Sequence, residues 1–256
     1  MIIEPVAPET LSLENILSSK RYVKEGGGIT YKSAKELFEP FIDRVSKLSP
    51  TFHVRTSDPK SIGETDDVIE TSYGKALIEA QIALSPTEVS TIGIVYSLTS
   101  NTPIIKAYYG PKVTACLNLC IWNAENVYQS SILGSISSVY KQIDDYIAKL
   151  EENNAAYFEL KAKMQKAILS KAEYHQKLGS FLDRSAGAGS VLGTSPIVNA
   201  AKLIKSGKHY SMKEGEISEW TMCNAITDCL KNDMSLDKVP NKTLKAFELF
   251  AINEEV

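Results

Sequence analysis

Lysines and tyrosines interleave in two places, and they are the residues best placed for chemistry. Lys20, Arg21, Tyr22 and Lys24 precede the glycine run at 26–28, and Tyr31, Lys32 and Lys35 follow it. Lys106, Tyr108, Tyr109 and Lys112 lie on and just after a strand-like segment. Single-stranded nucleic acid is bound by cations that track its backbone and by rings that stack on its bases. Residues two apart share one face of an extended strand, so Lys106 and Tyr108 fit that chemistry together. The expected nucleic-acid contacts are Lys20, Arg21, Lys32, Lys35, Lys106, Tyr108 and Lys112. An ordinary amphipathic edge strand would carry the same pattern without a ligand.

Other chemistries find less support. Gly187, Gly189 and Gly193 fall in the segment 185–195, SAGAGSVLGTS. No GK[ST] follows, and the glycines come after a helical pattern, so neither a P-loop nor a dinucleotide fingerprint is formed. A flexible connection is the expected role. The acidic groups Asp66-Asp67 with Glu70, Asp144-Asp145 and Glu151-Glu152 suit helix caps and solvated faces. His53, His175 and His209 have no zinc-ligand spacing to Cys116, Cys120, Cys223 or Cys229. The cysteines read as buried free thiols of a reducing compartment. No nucleophile has an elbow or a neighbouring base. The expectation is a binding protein and not an enzyme, with no metal and no cofactor.

Charge bounds the partners. Twenty-eight Lys and Arg against 31 Asp and Glu leave a formal net charge of −3. That excludes a general coat of phosphate-neutralising lysines but is compatible with a local basic groove. There is no basic segment leading into an apolar one at the N-terminus, and no apolar run nears the ~20 residues that span a bilayer. The expected location is the cytoplasm, that of a host cell if the chain is phage-encoded, or else a virion.

The elements that must hold these residues read as an α+β fold. Residues 1–30 look irregular and form an N-terminal arm, broken by Pro5, Pro8 and the glycine run. Residues 33–48 read as a helix that starts or kinks at Pro40. A short strand follows at 52–55, then a polar loop at 57–67, then an amphipathic helix from Val68 to Leu84 capped by Asp66. The segments 88–98, 104–109 and 113–122 read as a three-stranded antiparallel meander with Gly110-Pro111 as a turn. Residues 131–182 keep helical spacing, as a helical hairpin or one rod. A rod of that length needs a partner for its apolar stripe, so a homo-oligomer is expected. After the 185–195 connection come helices at 196–206 and 216–232, and a last one capped by Asn241. The overall expectation is an antiparallel sheet of three to five strands backed by helices. A long helical hairpin and a C-terminal helical cluster (196–256) complete it, with 31–184 holding the sheet and long helices.

Residues 218–228, SEWTMCNAITD, resemble the W-x-x-x-N-A-[VI]-T-[DE] signature of a phage/plasmid-like protein family of unknown function. Three further features are similar: an early extended segment near 51–55, a strand block with a Cys-x-Asn-like element at Cys116-Leu117-Asn118, and a long helical section. The family's usual cysteine–threonine–asparagine–glycine order is absent here. The resemblance implies a layout similar to that of phage single-strand annealing proteins. It therefore implies a phage- or plasmid-encoded protein that binds or anneals single-stranded DNA. A virion or assembly component acting through protein contacts is the alternative. The motif also has a structural role open to it: Trp220, Ala225 and Ile226 can form a buried stripe, with Asn224 and Thr227 bonding nearby backbone.

Overall fold

The computed structural model describes residues 13–17, 34–65, 68–97, 104–114, 118–131, 136–187, 189–207, 210–230 and 235–251. Two short helices open the chain: α1 (Leu13–Leu17) and α2 (Ala34–Val45), the latter with Pro40 inside it. The part of the N-terminal segment that is described does not stand free, because Ile16 is fully buried in the main core.

Strands β1 (Thr51–Thr65) and β2 (Val68–Ser85) form a long antiparallel ribbon running from Thr51↔Gln81 to Thr65↔Val68. β2 turns at Pro86-Thr87 into β3 (Glu88–Ser97), which pairs with β4 (Ile104–Val113). The far edge of β4 is shared by β5 (Asn118–Leu119), opposite Lys112–Val113, and β6 (Val127–Ser131), opposite Ile104–Tyr108. The result is a six-stranded antiparallel sheet.

Three elements differ from expectation, the first being the strand expected at 113–122, of which only Val113, at the end of β4, and Asn118–Leu119 (β5) are strand among the described residues. The helix expected from Val68 to Leu84 is strand β2, and the expected loop before it is the outer part of β1; Asp66 and Asp67 lie outside the described residues. Both faces of β2 are covered over residues 76–80, where Leu77 is as buried as Ile78 and Ala80. A strand that is apolar on both faces loses its two-residue alternation and imitates helical spacing. Gly110-Pro111 is also no turn. β4 runs through both residues, and the Pro111 carbonyl accepts from the Cys120 N–H (2.8 Å). The Cys120 carbonyl lies directly over Gly110, where a side chain would block it.

The helical run divides into α3 (Ile136–Ala148), α4 (Leu150–Lys166) and α5 (Lys171–Ser185), with a short strand β7 (Ile168–Ser170) between the last two. Then come α6 (Ser195–Ser206), β8 (Glu216–Ser218, paired with β7), α7 (Glu219–Asp228) and α8 (Val239–Ala251). Pro196 takes the first-turn position expected of it. Ser170 opens α5 with a reciprocal capping box to Glu173.

The sheet separates the interior into layers. One face, carrying Ile78, Ile92, Ile94, Ile105 and Tyr109, packs on α1, α2 and α3. On the other, Leu77, Val95 and Tyr108 meet Leu119, Ile121, Leu236 and Leu244. A separate core joins α4 to α8 around Tyr157, Phe181, Trp220 and Ile226. Among the described residues no helix is long and apolar enough to cross a membrane.

Gly93 has the closest neighbour of the described sheet glycines. It stands between Glu79 and Tyr108 in one cross-strand row, and a Cβ there would overlap the Tyr108 ring. Gly93→Ala is expected to destabilise the fold by about 1–3 kcal/mol in urea unfolding. In a Tyr108→Ala background the same change should cost much less, because the overlapping ring is gone.

Candidate functional site

The strand proposed to present Lys106, Tyr108 and Lys112 does place all three on one face, as their two-residue spacing requires. That face is covered, and this corrects the expected stacking platform. Lys106 is 3% exposed, Tyr108 1% and Lys112 8%. The cover consists of the Leu119–Ile121 segment and the start of α8, which bring their own apolar residues onto the sheet. Lys35 sits on α2, against the opposite face, exposed and paired with Glu39 at 3.4 Å. Lys20, Arg21 and Lys32 lie outside the described residues.

Tyr108 and Lys112 converge on Glu79, a buried carboxylate on β2 that sequence reading did not single out. The row His53–Glu79–Gly93–Tyr108 crosses four strands. Tyr108 Oη lies across Gly93 and donates to Glu79 Oε1 (2.6 Å). Lys112 Nζ donates to Glu79 Oε2, and His53 Nδ1 lies 3.3 Å from the same oxygen. Burial by itself would raise the Glu79 pKa. The Lys112 charge and the bonds from His53, Lys112 and Tyr108 outweigh it and hold the carboxyl well below the usual range. This is a closed, satisfied ion pair and offers no ligand a free atom.

Lys106 ends differently. Its Nζ donates to the Asp237 carbonyl (2.6 Å) and to Asn241 Oδ1. Asn241 was expected to cap the last helix; it lies inside α8 and supplies an acceptor to the sheet instead. The Asp237 carboxylate pairs with Lys75 (3.0 Å). Burial pushes the Lys106 amine down to about 8, against the upward pull of the Asp237 charge.

Beside Lys106 lies a cleft of about 620 Å³, walled by Ile104 and Gln129 of the sheet edge, residues 190–193, and Asp237, Lys238, Asn241 and Lys242. Residues 190–192 are also one wall of a second cleft of about 420 Å³, which includes Arg184, Lys245 and Glu248. The glycine-rich connection is therefore the partition between two clefts. Gly189 (φ 91°) and Gly193 (φ 71°) take left-handed conformations that favour glycine, and Leu192 between them is anchored in the C-terminal core. Arg184 fixes one end of this arrangement by donating to the Leu249 and Glu248 carbonyls (3.1 and 3.2 Å). Together the clefts are lined by four surface cations, Arg184, Lys238, Lys242 and Lys245, by the buried amine of Lys106, and by two carboxylates, Asp237 and Glu248. In a chain of net charge −3 this is a local positive surplus. Sequence reading missed Lys238 and Lys242; their clustering around Asn241 was the available signal.

The SEWTMCNAITD segment is structural. Trp220, Ala225 and Ile226 are buried, Asn224 Nδ2 donates to the Trp220 carbonyl (2.9 Å), and Thr227 Oγ1 donates to the Asn224 carbonyl (3.2 Å). Asn118 Nδ2 donates to that same carbonyl (2.9 Å) and to Tyr210 Oη (3.0 Å), tying α7 to the sheet. Cys120 and Cys223 are buried free thiols, and Cys229 is a free thiol at intermediate exposure. Among the described residues no cluster of His, Cys, Asp and Glu could hold a metal ion. Comparison with family models, curated proteins and solved structures finds no match.

Glu79→Gln should cost about 3–5 kcal/mol at pH 7, because it strands the buried Lys112 charge. The folded Glu79 pKa is depressed, so its contribution is complete above the ordinary value of 4.5 and is lost as pH falls towards the folded value. In urea unfolding from pH 7 to pH 3, the gap between variant and parent should narrow below about pH 4.5.

Proposed function

We propose that the chain binds single-stranded nucleic acid along the two clefts, holding its phosphates with Lys238, Lys242, Lys245 and Arg184. On this reading it is a phage- or plasmid-encoded binding or annealing protein. The observation that carries the proposal is the gathering of Arg184, Lys238, Lys242 and Lys245, against two carboxylates, around one glycine-rich loop. Phosphate contacts supply most of the affinity in sequence-independent binding. No aromatic ring lines either cleft among the described residues, so the contact is to the backbone and not to stacked bases. Clefts of 420 and 620 Å³ fall within the roughly 300–1,000 Å³ of ligand sites. They suit a strand that enters edge-on and are far too small to enclose a duplex.

Filter binding of a single-stranded oligonucleotide across a salt series tests this. Affinity should fall with salt, with a log–log slope of about −0.7 for each phosphate neutralised. Lys238→Glu with Lys242→Glu should weaken binding at least tenfold and flatten the slope. No binding at low salt, or binding indifferent to salt and to the charge reversals, would remove the proposal.

One observation favours a second reading, a virion or assembly component that works through protein contacts as a homo-oligomer. The β1/β2 ribbon continues from Ser57↔Lys75 to Thr65↔Val68, past Lys75↔Ser97, the last β2–β3 pair among the described residues. An extended ribbon offers backbone for pairing with another chain. Mass spectrometry of purified particles separates the readings: stoichiometric presence supports assembly, and absence counts against it.

A further inference from the structure

Five lysines with enclosed side chains can be compared atom by atom. Lys75 pairs with Asp237, Lys112 with Glu79, Lys161 with Glu88 and Lys177 with Glu219. Each has a carboxylate. Lys106 is the most deeply buried of them by residue exposure, yet both of its hydrogen-bond acceptors are neutral: the Asp237 carbonyl and Asn241 Oδ1. An ammonium carries three donors, and two acceptors leave its third hydrogen without a partner among the described residues. A neutral amine matches the pair better. Its two hydrogens go to the two acceptors, and its lone pair keeps the remaining tetrahedral position. Lys106 also lines the 620 Å³ cleft, with Lys238 and Lys242 beside it to hold an anion.

We propose that Lys106 is a reactive amine that forms an imine with an aldehyde carried on a phosphate-bearing molecule seated in this cleft. Lysines freed of their proton by burial are the usual Schiff-base formers. The Nζ lone pair attacks the aldehyde carbon while the carbonyl π pair moves to oxygen. A proton passes from nitrogen to that oxygen, giving a carbinolamine. Loss of water then forms the C=N bond, so amine and aldehyde yield imine and water with no change of oxidation state. At pH 8 about half of Lys106 is neutral, against roughly 1% or less of an ordinary lysine. Two sources share this chemistry. One is the opened sugar of an abasic site in a strand, flanked by phosphates; this source rests on the nucleic-acid reading of the same clefts. The other is a free phosphorylated aldehyde.

The test incubates the full chain at pH 8 with pyridoxal 5′-phosphate, with pyridoxal lacking the phosphate, or with a single-stranded oligonucleotide containing one abasic site. Borohydride then reduces any imine to a stable secondary amine, and peptide mapping locates it. The expected result is label on Lys106 above every other lysine, at least tenfold more with the phosphate than without it. Label should be absent in Lys106→Arg and strongly reduced in Lys238→Glu with Lys242→Glu, which leaves the buried amine in place. The labelling rate should rise with pH to half its maximum near 8. Trapping by the oligonucleotide assigns the strand as source; trapping by pyridoxal 5′-phosphate alone assigns the free aldehyde. Label spread over surface lysines without enrichment at Lys106, or equal labelling with and without phosphate, overturns the inference. Strand binding is read separately in the salt series without borohydride. A chain that binds strands but leaves Lys106 unlabelled by both phosphate-bearing probes loses this inference alone. One labelled by pyridoxal 5′-phosphate but unable to bind strands loses only the nucleic-acid reading.

Discussion

A negative charge buried at the centre of a sheet is the constraint on which the second face depends. Glu79 is 3% exposed, and an unpaired carboxylate there would cost several kcal/mol. Its partners come from two strands, His53 from β1 and Tyr108 and Lys112 from β4, and each of the two on β4 imposes a further requirement. Tyr108 reaches it only by lying flat across the sheet, so position 93 must lack a side chain. Lys112 reaches it only if β4 continues through Gly110-Pro111 and does not turn there. Gly110 must in turn be bare, because the Cys120 carbonyl rests over it. One ion pair therefore accounts for two glycines, the course of β4 and the seat of the segment that covers it.

The same logic ties the sheet to the helical half. Glu88 accepts from Tyr157 Oη (2.7 Å) and from Lys161 on α4, while Ser85 Oγ donates to it from its own hairpin (2.9 Å). Burial would raise its pKa, but these partners hold it below the usual value. Asn154 of α4 accepts from Ser90 Oγ and Tyr109 Oη, both at 2.6 Å. Asn118 closes the other side by bonding Asn224 of α7. Polar bonds at both ends fix the helical layer in register on the sheet. That register brings the 235–242 segment and the glycine-rich partition to the Lys106 end of β4.

The clefts are the by-product of this docking. Where α4 and α7 meet the sheet, polar groups are matched carboxylate to lysine or amide to carbonyl. At the Lys106 end the buried amine meets two neutral acceptors and borders an open volume. Closed contacts hold the fold, and this open one is where chemistry is possible. The difference lies in the partners and not in the residue type, since lysines occupy both kinds of place.

What the residue order by itself determined is the local layer. The β-branched runs at 88–97 and 104–109 give strands, and the apolar spacing of 34–45 and 195–206 gives helices, because those patterns report which side of an element avoids water. The Trp220–Asp228 segment was legible as a buried tie for the same reason. The face shared by Lys106 and Tyr108 was also readable, since a strand alternates without help from its neighbours; Lys112 joins it only because β4 continues through Gly110-Pro111, which read as a turn. What covers that face was not. Glu79 with Lys112, Asn118 with Asn224, and Lys106 with Asn241 are joined across 33, 106 and 135 positions of chain. Periodicity within one element carries no information about such pairs. Strand β2 was hidden for a related reason: covered on both faces over residues 76–80, it shows no alternation to read there. Only the packing of one layer on another decided that a strand of lysines and a tyrosine would face inward, and that one of those lysines would border an open cleft.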